Sequence, residues 1–105
     1  MTDLRWIRVA AEGDCAPGSL LAVQAEDTKI VLANVEGTLY ALQDRCSHAD
    51  FPLSDGELEG TRLECIYHGA GFDVCDGRAL NMPAIRPVPV FAVEVRDGDI
   101  FVALS

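Results

Sequence analysis

Apolar residues recur along the chain in short runs broken by turn residues. Trp6-Ile7-Arg8-Val9 opens the series. Runs from Ser19 to Ala25 and from Thr28 to Val35 follow, separated by Glu26-Asp27, and Glu36-Gly37 reads as a hairpin turn into Thr38-Leu39-Tyr40-Ala41-Leu42. Near the end, a strand from Val90 to Val95 meets Ile100 to Leu104 across Asp97-Gly98. An Asp-Gly pair between two apolar runs is the strongest hairpin signal in the chain. No stretch keeps a helical period for more than about three turns. The pattern predicts an all-β domain with little or no helix, built as an antiparallel sandwich or barrel.

The middle of the chain departs from this rhythm. Between Arg45 and Pro89 the runs shorten and turn residues crowd in, among them Pro52, Asp55-Gly56, Gly60, Gly69, Gly71, Asp76-Gly77, Pro83 and Pro87. We read a single domain over 1–105. Its framework comes from 1–43 and 87–105, and a loop-rich lobe over about 44–86 is inserted between the strands.

Length and charge narrow the function. At 105 residues and 50% hydrophobic composition the chain supports one core-bearing domain. Eight Lys and Arg face seventeen Asp and Glu, for a net charge of −9. Such a chain repels phosphate backbones and anionic lipid, which argues against nucleic acid and membrane as partners and for a partner with a basic patch. No apolar run approaches the roughly 18 residues of a membrane span. MTDLRWIRVA carries no signal-peptide pattern, so a cytoplasmic protein is expected.

The candidate chemistry lies in the lobe. Cys46-Ser47-His48 is followed, after sixteen residues, by Cys65-Ile66-Tyr67-His68. Both histidines of the chain fall two or three residues after a cysteine. Random placement gives that in roughly one chain in two hundred. Each box sets one soft thiolate and one imidazole on a short loop. A tetrahedral zinc site with two sulfurs and two nitrogens fits. So does a two-iron, two-sulfide cluster with both cysteines on one iron and both histidines on the other. Spacing alone does not separate the two. The mixed order favours the cluster, because each iron then takes one ligand from each of two facing loops. Cys15 and Cys75 lie outside the boxes and are expected to be free thiols in a reducing compartment. Trp6 and Tyr40 are expected to be packing residues.

The paired boxes resemble those of Rieske iron–sulfur proteins. Leu53-Ser54-Asp55-Gly56, Leu58-Glu59-Gly60, Glu64-Cys65, Phe72-Asp73-Val74, Gly77-Arg78-Ala79-Leu80 and Pro83-Ala84 are similar to the Rieske-type ferredoxins of bacterial aromatic-ring dioxygenase systems. The likeness covers 38–104. It implies a Rieske fold and one [2Fe–2S] cluster held by Cys46, His48, Cys65 and His68. It also implies a cytoplasmic, monomeric one-electron carrier, not an enzyme, working between a flavoprotein reductase and a terminal oxygenase. Ser47 and Ile66 stand where many members have other residues, and neither change removes a ligand. The alternatives are the small Rieske-like subunit of a nitrite reductase and a structural zinc module. A catalytic oxygenase subunit needs a further iron bound by two histidines and a carboxylate, and no histidine remains for it.

The resemblance also bears on the redox potential. High-potential relatives carry an additional disulfide at the places of Phe51 and Tyr67, and hydroxyl donors at the places of Ala70 and Phe72. Without these donors the reduced state loses hydrogen bonds. The expected potential lies toward the low end of the Rieske range, roughly −150 mV. Gly69 and Gly71 are expected to let the backbone approach the sulfides closely.

Overall fold

The computed structural model describes residues 4–46, 51–66, 69–80 and 86–104. Among them are ten strands and two single-turn 3-10 helices, at Glu12–Asp14 and Leu53–Asp55. The strands are β1 (Arg5–Ala11), β2 (Leu20–Ala25), β3 (Thr28–Val35), β4 (Thr38–Gln43), β5 (Glu57–Glu59), β6 (Arg62–Glu64), β7 (Gly71–Asp73), β8 (Val90–Phe91), β9 (Val93–Arg96) and β10 (Asp99–Leu104). They form three antiparallel sheets, in the orders β1-β10-β9, β2-β3-β4-β8 and β5-β6-β7. The all-β expectation holds.

Two-residue turns set the register. Glu36-Gly37 and Asp97-Gly98 both place two successive residues at positive φ (52° and 96°, then 52° and 82°), the combination that matches the twist of antiparallel strands. Val35 therefore pairs with Thr38, and Arg96 with Asp99.

Strand β3 lies between two apolar clusters and contributes to both. Its run Ile30-Val31-Leu32-Ala33 is fully buried at every position. Ile30 and Leu32 point into one apolar cluster with Ala10, Cys15, Ala41, Ile100 and Val102. Val31 and Ala33 point into another with Leu42, Leu53, Leu63 and Phe72. Side chains alternate along a strand, so a strand covered on both faces reads as an unbroken apolar stretch. Each of the large residues so buried contributes about 1.5–3 kcal/mol. The middle sheet β5-β6-β7 packs through Leu58, Leu63 and Phe72 onto the second of these clusters.

One strand expectation needs correction. Val90 to Val95 is not a single strand. Val90 and Phe91 pair with β4, whereas Val93 to Arg96 pair with β10. The chain changes sheets at Ala92, whose carbonyl accepts a hydrogen bond from the Ala103 N–H at 3.0 Å. Alternating apolar residues carry no mark of such a change of partner.

Candidate metal centre

The two cysteines of the boxes sit at equivalent places in two loops of equal size. Cys46 follows the end of β4, and its N–H donates to the Phe51 carbonyl at 2.8 Å. Cys65 follows the end of β6, and its N–H donates to the Ala70 carbonyl at 2.7 Å. Each loop is thus closed by the cysteine's own amide, onto the carbonyl five residues on. In the second loop the Gly69 N–H returns to the Cys65 carbonyl at 2.9 Å, with Gly69 in the left-handed region at φ 72°. Gly71 lies instead in the extended strand β7.

The sequence positions each loop by local contacts. Ahead of the first, the Asp44 carboxylate takes two hydrogen bonds from Ser54, one from its N–H and one from its hydroxyl, both at 2.7 Å. A carboxylate satisfied in this way ties the loop's entry to the 3-10 turn at its exit. Behind the second, Gly56 lies so close to β6 that a Cβ would run into the Glu64 carbonyl oxygen, so glycine is required there for contact and not for its φ. At the far end of the lobe Gly77 combines a φ of 79° with the same kind of backbone crowding, here against the Val88 carbonyl. Neither the Asp44–Ser54 tie nor the Gly56 contact was legible beforehand. Ser54 and Gly56 stand in a motif shared with the resembled ferredoxins, but nothing in the sequence pairs Ser54 with Asp44 or brings Gly56 against Glu64.

Cys46 and Cys65 are 1% and 0% exposed and belong to the same buried cluster. Both are free thiols, as are Cys15 and Cys75. Two buried, unoxidised sulfurs in matching loops are a donor set suited to a soft metal centre. His48 and His68 lie outside the described residues. Ala70 and Phe72, both fully buried, complete the cluster around the two cysteines, and Phe51 packs against its edge.

The other two cysteines are elsewhere. Cys15 is in the opposite core, where its Sγ lies 3.7 Å from the Ser19 carbonyl and 3.9 Å from that of Leu32. Burial pushes its thiol above the usual range, and the Ser19 hydroxyl opposes that shift in smaller part. Cys75 is exposed, and its interaction with the Tyr40 hydroxyl pushes that group's pKa above its usual value, with Asp73 adding to the effect. Trp6 is a surface packing residue, with Arg96 lying 5.6 Å from its ring and 4.6 Å from that of Phe101.

Comparison with known proteins agrees with this geometry. Residues 5–92 match the model of the Rieske [2Fe-2S] domain. The chain is 40% identical over 98 residues to the ferredoxin component of biphenyl 2,3-dioxygenase from Rhodococcus jostii, covering 93% of this chain and 92% of that protein. It superposes on the Sphingomonas yanoikuyae B1 ferredoxin with a TM-score of 0.91, 27% identity and coverage of 96% and 100%. The ferredoxin seen in the complex of reduced oxygenase and oxidized ferredoxin in carbazole 1,9a-dioxygenase gives a TM-score of 0.88, 36% identity and coverage of 93% and 92%. The chain belongs to the Rieske [2Fe–2S] family. Its cofactor is a single Rieske cluster, and it is an electron carrier of the ferredoxin kind, not a catalytic subunit. The nitrite-reductase subunit and the zinc module are not favoured. Among the described residues no helix is long and apolar enough to cross a membrane.

Proposed function

We propose that this chain carries single electrons from a flavoprotein reductase to the terminal oxygenase of a ring-hydroxylating dioxygenase system. Cys46 and Cys65 hold one iron of the cluster and His48 and His68 the other. The observation that carries this reading is the pair of equal loops, each closed by its cysteine N–H, which bury both thiols in one apolar cluster. Bound there, the cluster supplies a reversible one-electron site. Two neutral imidazoles in place of two thiolates remove two negative charges, so an added electron meets less Coulomb work than in a four-thiolate ferredoxin. The lobe over about 44–86 presents the ligand loops, and 1–43 with 87–105 hold it in place.

The residue after the buried Cys65 supports a docking role for the loop. Ile66 is 55% exposed, an apolar side chain offered to a partner directly beside the ligand. The carbazole dioxygenase ferredoxin is seen in complex with its oxygenase, which supports an oxygenase as the acceptor here. The −9 charge favours a basic face on that acceptor. The encounter is transient, between a cytoplasmic monomer and larger components.

The purified protein should be red-brown and give a rhombic electron paramagnetic resonance signal once reduced. With reductase and oxygenase present it should be reduced and reoxidised in turn. The transfer rate should fall as salt shortens the screening length from about 30 Å at 0.01 M to about 10 Å at 0.1 M. A colourless protein with one zinc per chain would overturn the reading. Rates indifferent to salt would remove the steering role of the charge.

A further inference from the structure

A groove runs between the middle sheet and the framework, on the open side of β5. It consists of two connected recesses of about 380 and 490 Å³ that share Gly18 and Leu58. One wall is the segment leading into β2 with the start of the β3–β4 turn; the other runs from Ser54 along β5 to Thr61. Its floor is apolar, formed by Leu20, Val35 and Leu58, all half-buried against the cluster that contains Cys46 and Cys65.

Two features say what fits there. First, β5 pairs with β6 alone, so among the described residues its second edge is open along the groove. Such an edge accepts an extended chain through main-chain hydrogen bonds. Second, the groove is charged with one sign. Glu36 and Glu57 line it, and no Lys or Arg does. Glu57 stands opposite Glu64 across the sheet, but Arg62 already engages Glu64 at 3.2 Å. A second copy of this chain would bring Glu57 and Glu59 against their own equivalents, and like charges directly opposite are destabilising. A strand with apolar residues on one face and Lys or Arg on the other meets both the floor and the rim.

We propose that the groove along β5 binds an extended, basic segment of a partner protein by strand addition. The groove follows Ser54 to Thr61 and the Gly18–Leu20 segment, and neither Cys46 nor Cys65 lines it. At its Gly56 end it starts beside Glu64, the residue before Cys65, so a partner seated on the loops can lay a tail into it.

The cluster-loaded protein, labelled with nitrogen-15, would be titrated with a short peptide of alternating valine and lysine. The proposal expects saturable amide shifts centred on Gly18–Leu20 and Gly56–Gly60. A valine–glutamate peptide should leave those amides unmoved. The double variant Glu36→Lys, Glu57→Lys should bind the basic peptide at least tenfold more weakly, with its visible spectrum unchanged. Shifts scattered over other acidic patches, equal binding by the variant, or equal binding of both peptides would each overturn it. None of these results bears on electron transfer through the ligand loops, which is tested separately.

Discussion

The two apolar cores of this molecule both bury cysteine, yet only one is suited to a metal. In the core on the Ile30 and Leu32 side of β3, Cys15 is 1% exposed and makes only long contacts, to two carbonyls and the Ser19 hydroxyl, so it behaves as a small apolar side chain. In the core on the Val31 and Ala33 side, Cys46 and Cys65 are as deeply buried but start loops closed by their own amides. Burial therefore does not mark a ligand. What sets Cys46 and Cys65 apart is the hydrogen bond from each cysteine's amide to the carbonyl five residues on, which holds the ends of each loop together before any metal binds.

The sharpest break of this contrast is to remove the sulfurs in turn. Cys46→Ser and Cys65→Ser should each lose the cluster, seen as loss of visible absorption and of bound iron and sulfide. Cys15→Ser should keep normal iron content. His48→Ala and His68→Ala should behave like the first pair, since no further histidine exists to replace either. Normal iron in His68→Ala would sink the ligand assignment, and loss of iron in a folded Cys15→Ser would erase the difference between the cores.

A smaller effect sharpens the lobe side. Ala70 and Phe72 are fully buried in the cluster with Cys46 and Cys65 and offer no side-chain donor. Ala70→Ser and Phe72→Tyr should each raise the reduction potential by tens of millivolts where the new hydroxyl reaches a sulfur, because a net hydrogen bond is worth about 0.5–1.5 kcal/mol. Protein-film voltammetry measures this directly. A wild-type potential near the top of the Rieske range would contradict the account of the missing donors.

The smallest effect lies on the framework side. Folding raises the Cys15 thiol above its ordinary value of 9.0, chiefly by burial. The folded chain then keeps a proton that the unfolded chain releases. The stability tied to it is complete below about pH 9 and is lost as pH rises through the folded value. Tyr40 acts with the same sign from about pH 10 upward. Urea midpoints under reducing conditions should therefore fall less steeply from about pH 8 to about pH 10 in Cys15→Ala than in the parent. Parallel slopes would show that Cys15 ionises alike in both states.

The framework was largely legible in the sequence because its rules are local. Glu36-Gly37 and Asp97-Gly98 name their own turns, and the apolar run from Thr28 to Val35 names a strand, whose cover on both faces only the structure shows. The two Cys-His boxes stand out for a different reason, as ligand chemistry needs particular residue types at particular spacings; the structure brings Cys46 and Cys65 into one cluster, and His48 and His68 lie outside the described residues. The middle sheet was not. Its strands are three residues long, too short to show a period of two, and they exist because β6 is flanked by β5 and β7 over the lobe core. The Asp44–Ser54 tie joins residues ten apart through side chains that in sequence look like ordinary loop polarity.

The passage of the chain between sheets at Ala92 has a consequence for how the molecule comes apart. Val90-Phe91 is stitched to β4 and Val93–Arg96 to β10, with one residue between them. Peeling either sheet from the other must strain that joint, as well as the β1–β2 connection, so the two sheets are expected to open together. The amides of β3, β4 and β10 should then exchange as one cooperative block, which native-state hydrogen exchange would show. The lobe is fastened to that block where the Val88 N–H donates to the Gly77 carbonyl, just ahead of the joint.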